Sequence, residues 1–149
     1  MSTHPSLRTF DSAATFTVFT IKQSETGLDL LAQTSRRAAQ KLAADDVAAG
    51  LSTLQSLIEN LYGFRKFVRE VCSIFALPPG LVGDAQGNLA ENADRFRNTL
   101  YALSDALEAH DTARLVYLLD VSLPEILLRF RDLMPVLRTH IAPNYPDAA

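Results

Sequence analysis

Four stretches of the chain carry apolar residues at alternating steps of three and four, the seam spacing of packed helices. The first runs Leu28, Leu31, Ser35, Ala38, Leu42, and the second Val47, Leu51, Leu54, Ile58, Leu61. The third is Leu89, Ala93, Phe96, Leu100, Leu103, Leu107. The fourth is Val116, Leu119, Leu123, Ile126, Phe130, Leu133, Leu137. An offset of 65 carries the first pair onto the second: Leu31 onto Phe96, Leu42 onto Leu107, Leu54 onto Leu119, Leu61 onto Ile126. The pattern predicts an all-α fold, an antiparallel four-helix bundle built of two helical hairpins. Leu54, Leu61, Phe96, Leu103, Leu119, Ile126 and Phe130 should form its core.

At 149 residues the chain suits one domain with a proper core. A net charge of −3, with basic residues scattered, disfavours nucleic acid or an anionic membrane as partner. The single cysteine, Cys72, cannot form an internal disulfide. Its apolar neighbours Val71, Ile74 and Phe75 make it a small buried residue. No stretch is apolar enough to span a bilayer. The start, Met1-Ser-Thr-His-Pro-Ser-Leu-Arg, lacks the layout of a signal peptide, so a cytoplasmic location is expected.

Residues 1–14 read as a loose leader. Residues 15–21, Thr-Phe-Thr-Val-Phe-Thr-Ile, are β-branched or aromatic throughout and predict a short extended N-terminal arm. Helices are expected at about 25–43, 46–76, 88–110 and 112–141, with a tail at 142–149. Thr26 loosely caps the first helix, Asp45 or Asp46 the second, Asn88 with Glu91 the third, and Asp111 the fourth. The segment 77–88 holds two prolines and half of all six glycines, so it is a loop between the hairpins. Pro124 and Pro135 interrupt the fourth helix. Its stripe passes Pro124 without a skipped step, which predicts one kinked, continuous helix.

Catalytic motifs are missing. There is no Glu-x-x-His pair, Gly-rich phosphate loop or Gly-x-Ser-x-Gly elbow. Glu91, Asp94, Asp105 and Glu108 lie opposite the third helix's seam and should face water. His110 continues that seam, beside Glu108 and Asp111. It reads as a helix-closing residue, or alternatively as the centre of a metal-binding or enzymatic site. His140 has the same helix-end position. Ser35, on the first seam, can return its hydroxyl to its own helix. The cluster Phe64-Arg-Lys-Phe67-Val-Arg69 reads as a solvated face rather than a nucleic-acid platform.

One positive oddity remains. Besides its seam, the fourth helix carries a second apolar line, Leu118, Val121 and Leu128, with Tyr117 beside it. The second helix has a weaker one at Phe67 and Ile74. A helix that is apolar on two faces must be covered. Candidate covers are the 15–21 arm, a second copy of the chain, or another protein. These six residues are the candidate partner-binding set.

The layout resembles the flagellar secretion chaperones, small bacterial helical bundles that hold a secreted subunit. The similar features are the segment Phe16–Ile21 leading into Leu28, Leu30 and Leu31, the acidic turn Asp45-Asp46, the junction His110-Asp111, and the Leu-rich run from Leu118 to Arg131. The resemblance implies a bacterial bundle that binds another protein, and an uncharacterised bacterial bundle family would share the plan. The expected function is therefore non-enzymatic protein–protein contact, as a chaperone or adaptor, with no cofactor. The expected partner is another protein or a second copy, with neither nucleic acid nor membrane involved.

Overall fold

The computed structural model describes residues 5–141, with side chains from residue 13 onward. Four helical rods dominate it. They are α1 (Pro5–Ala43), α2 (Val47–Ile74), α3 (Leu89–Glu108), and a last rod made of α4 (Thr112–Tyr117), a π-helical turn (Leu118–Ser122) and α5 (Leu123–Ile141). The tail 142–149 and residues 1–4 of the expected leader lie outside the described residues. α1 packs on both α2 and α5, and α3 packs on α5. α2 and α3 scarcely approach one another along the backbone. All seven expected core residues are buried. Phe130 sits at the centre, edge-on to Phe64 at 5.2 Å and to Phe96 at 5.5 Å.

The extended arm is not there. Residues 15–21, with residues 5–14 of the expected leader, belong to α1. Ala14, Val18 and Ile21 fall on one helical face and are buried, continuing the Leu28, Ala32, Ser35 seam toward the N-terminus. Burial of that face outweighs the modest helix penalty of β-branched residues. The threonine hydroxyls also find partners without leaving the helix: Thr17 donates to Ala13 O at 2.7 Å and Thr20 to Phe16 O at 2.9 Å.

α1 runs antiparallel to α5. Asp29 pairs with Arg131 at 2.6 Å, and Glu25 with Arg138 at 3.8 Å. In this register residues 15–21 lie past the end of the Leu118–Leu128 segment. Ala32 and Ser35 stand opposite it instead, so the expected arm does not cover that line.

The last rod is continuous, as its unbroken stripe predicted. Its irregularity is the π turn just before Pro124. Leu123 N–H bonds Leu118 O, five residues back. The next donor in that register would be Pro124, which has no N–H. Leu119 O is therefore left without a helical partner, and the buried Ser35 hydroxyl donates to it at 2.5 Å. Ser35 thus reaches across to another helix rather than back to its own. Buried Asn92 on α3 likewise sends Nδ2 to Ile126 O at 3.2 Å.

α1, α2 and α3 all end the same way. The residue after the cap turns left-handed: Asp45 (φ 63°), Ala76 (φ 50°) and His110 (φ 52°). The next N–H reaches five residues back: Asp46 to Lys41 O, Leu77 to Cys72 O, and Asp111 to Ala106 O. This closure satisfies the orphan carbonyls. Asn88 and Glu91 form a full capping box, and Asp111 accepts Arg114 N–H at 3.1 Å. Asp46 holds the N-cap position of α2 without a side-chain bond, and Thr26 lies inside α1. The first turn brings α1 so close to α2 that a Cβ on Gly50 would stand 2.7 Å from the Leu42 side chain. Between the hairpins, β1 (Gly83–Asp84) pairs antiparallel with β2 (Gly87–Asn88). A Cβ on Gly83 would sit 2.5 Å from Gly87 O, so this miniature hairpin needs glycine there.

Candidate interaction surfaces

The six candidate contact residues do not form one surface. Leu118 is buried, Leu128 is half-buried against the core, and Tyr117 and Val121 are exposed. The line Leu118, Val121, Leu128 holds only at a uniform helical pitch. The π turn inserts extra backbone inside it and rotates Leu128 away from Leu118 and Val121. Ile74 is exposed and Phe67 half-buried, both on α2 and not on the last rod.

A different surface gathers around Phe67 and Ile74. Along α1, residues Phe16, Phe19, Gln23, Thr26, Leu30 and Gln33 recur at steps of three and four, and all are exposed. Phe16 is 69 %, Phe19 55 % and Leu30 57 % exposed. None of the six is charged. The acidic residues of this stretch, Glu25 and Asp29, are turned aside onto α5 by their ion pairs. On α2, Thr53 accepts from Lys41 Nζ of α1 at 3.1 Å. Steps of seven from Thr53 lead to Asn60, Phe67 and Ile74, which therefore follow the α1 side of α2. The antiparallel register set at Lys41–Thr53 and Leu42–Gly50 places Phe19 level with Ile74. α1 thus presents an uncharged stripe with three exposed large apolar side chains, Phe16, Phe19 and Leu30, and the exposed Ile74 of α2 stands level with it, one turn beyond the exposed Lys66–Glu70 pair. This stripe was legible in the sequence as a second 3–4 repeat, but the extended reading of residues 15–21 concealed it.

A second feature is the groove left where α2 and α3 stand apart. Its apolar floor includes Leu54 at one end, and Val68, Phe96 and Phe130 at the other. The end formed by Leu51, Gln55, Ile58, Glu59 and Leu107 holds a cleft of about 220 Å³. The end formed by Phe64, Arg65, Arg69, Ala93 and Arg97 holds one of about 160 Å³. Arg97 pairs with Asp94 at 3.3 Å. Arg65 and Arg69 make no ion pair among the described residues. The basic–aromatic cluster of the sequence is therefore split, with Phe64, Arg65 and Arg69 facing this groove and Phe67 turned toward α1.

Polar chemistry is concentrated at the hairpin. Arg129 Nη1 donates to Asp84 Oδ2 at 2.9 Å, and Nη2 donates to Asp84 Oδ1 at 2.6 Å and to Gly87 O at 3.0 Å. The guanidinium holds the Asp84 carboxyl at about 2, below its ordinary value. This bidentate clamp ties the loop to α5. It leaves neither group poised for proton transfer. Burial pushes the Cys72 thiol up, away from the reactive thiolate.

His110 is exposed and set by its left-handed backbone, and the carboxylate of Asp111 is occupied in capping. Glu91, Asp94, Asp105 and Glu108 are all exposed. Among the described residues no group of three or more His, Cys, Asp or Glu could hold a metal ion. No described helix is long and apolar enough to cross a membrane. No protein-family model, curated protein or solved structure matches the chain.

Proposed function

We propose that this bundle is non-enzymatic and acts by protein–protein contact, as a cytoplasmic chaperone or adaptor for a secreted or assembling bacterial subunit. The observation that carries the reading is the uncharged exposed stripe along α1, with Ile74 of α2 level with it. Phe16, Phe19, Leu30 and Ile74 keep more than half of their surface in water. A helix face exposed over five turns normally carries charge, and a clustered apolar face marks a contact surface. Asp84 and Arg129 clamp a loop, Arg131 pairs with Asp29, and Cys72 is buried, so these ionisable groups serve structure.

Site-specific photocrosslinking in the native host tests the reading. A crosslinker at position 19 or 74 should trap a discrete partner, and one at position 105 on the acidic face of α3 should not. A Phe19→Asp/Ile74→Asp variant should lose that partner while melting as the wild type does. Equal trapping from both faces overturns the proposal. So does stoichiometric metal in the purified protein that disappears in His110→Ala.

A further inference from the structure

The groove between α2 and α3 has features that the contact face on α1 and α2 does not explain. Its two clefts centre about eleven residues apart along α2, or about 17 Å. An α-helix presents residues i and i+11 on one face at nearly that separation, because eleven residues make about three turns. Each cleft is the size of one or two large side chains. Tyr62 extends the α2 wall, three residues before Arg65, and Tyr101 extends the α3 wall, four residues after Arg97. Both are exposed, midway between the clefts. The two ends differ in charge. Glu59 is the one charged residue at the Leu107 end. At the Phe96 end Arg65, Arg69 and Arg97 stand with one acidic residue, Asp94, while on their outer side Arg65 and Arg69 also border an open cleft with Lys66 and Glu70. Two of those arginines, Arg65 and Arg69, make no ion pair among the described residues, on a chain whose net charge is negative. Arginines left open beside an aromatic-floored cleft favour a carboxylate-bearing ligand.

We infer that this groove is a docking site for an amphipathic helix of a partner protein that places apolar anchors at i and i+11 in the two clefts and acidic residues beside the anchor seated between Phe64 and Phe96. Apolar burial in the clefts supplies affinity, and the arginines fix the direction of the docked helix. The site is separate from the α1–α2 face, so each stands or falls alone.

The test uses a fluorescein-labelled synthetic helix of about 18 residues. It is alanine- and glutamine-based, with leucines at i, i+4, i+7 and i+11 and two glutamates flanking the last leucine. A second peptide carries lysines in place of the glutamates. Fluorescence polarisation on the full chain should show the acidic peptide binding about tenfold tighter or more than the basic one. Added salt should narrow the gap. Arg65→Glu/Arg69→Glu should reverse the preference, and Ala93→Trp, filling the cleft from an exposed position, should abolish binding of both. Circular dichroism melting of each variant confirms that it is folded. Equal affinity for the two peptides overturns the inference, as does a preference indifferent to Arg65 and Arg69. A dimer in light scattering that excludes both peptides also overturns it, and assigns the groove to a second copy.

Discussion

Ser35 on α1 donates its buried hydroxyl to Leu119 O on the last rod, 2.5 Å away and 84 positions along the chain. The bond completes a circuit that Pro124 opens. The α-helical donor for Leu119 O, Leu123 N–H, is spent on Leu118 O, and the π-helical donor would be the imide nitrogen of Pro124. Ser35→Ala should therefore leave a buried carbonyl unsatisfied and cost about 1–3 kcal/mol. Pro124→Ala restores a backbone donor at that point, so the serine should matter less in its presence. Urea unfolding of the two single variants and the double variant should show a coupling of about 1 kcal/mol. Strict additivity would mean that the serine and the proline are unrelated.

The Asp84–Arg129 clamp sets an acid dependence of stability. Its native carboxyl sits at about 2, below the ordinary 3.8, so the native state binds fewer protons than the unfolded chain in that window. The associated stability is fully present above about pH 4 and is lost as pH falls toward about 2. Asp84→Asn should flatten that part of the curve and leave the rest unchanged. Melting temperatures of both proteins between about pH 6 and pH 2 check it. A variant that tracks the wild type throughout would show that the clamp does not form in solution.

The core was legible in the sequence because Leu54, Leu61, Phe96, Leu119 and Phe130 belong to repeats that only packed helices explain, and each is buried. The capping box at Asn88 and Glu91 was legible because its geometry is local. Residues 15–21 carry two conflicting signals, a β-branched composition that favours an extended chain and the Ala14, Val18, Ile21 spacing that favours a helix, and burial of that face decides for the helix. The π turn left no mark, since Leu119, Leu123, Ile126 and Phe130 keep their steps whether or not one turn is widened. That hidden turn broke up the second line of Leu118, Val121 and Leu128. The α2–α3 groove depends on how far two helices stand apart, which no repeat encodes. Arg65 and Arg69 therefore read as an ordinary wet face.

Ala76 and His110 hold left-handed backbones without being glycine. Such conformations cost about 1–2 kcal/mol for a residue with a Cβ. Both side chains are exposed, so glycine loses little packing at either site. Part of the relief is offset by the greater freedom of glycine in the unfolded chain. Ala76→Gly and His110→Gly should each raise stability by about 0.5–1 kcal/mol in urea titrations. A loss of stability at His110 would assign that side chain a role beyond closing α3.

Phe130 touches Phe64 and Phe96 edge-on and so joins α2 to α3 across the groove floor. Phe130→Ala should cost about 3–5 kcal/mol. The acidic face of α3 should behave in the opposite way. Replacing Glu91, Asp94, Asp105 and Glu108 together with Gln should shift stability by no more than about 1 kcal/mol, because exposed charges contribute little. Gln at position 91 can still serve the capping box. A large loss from the acidic set would mean that this face is not simply solvated.

The N-terminal half of α1 offers the sharpest test of the fold itself. In an extended arm, Phe16 and Val18 would share one face, because side chains alternate. In the helix, Val18 shares its face with Ala14 and Ile21, and Phe16 points outward with Phe19. The structure buries Val18 and Ile21 completely and leaves Phe16 in water. Val18→Asp and Ile21→Asp should each place an unpaired carboxylate in the core and cost about 3 kcal/mol or more. Phe16→Asp should stay within about 0.5 kcal/mol of the wild type, as surface substitutions do. Thermal and urea unfolding of the three variants separate the two geometries. Similar losses at positions 16 and 18, with position 21 spared, would restore the arm and remove the α1 part of the contact face.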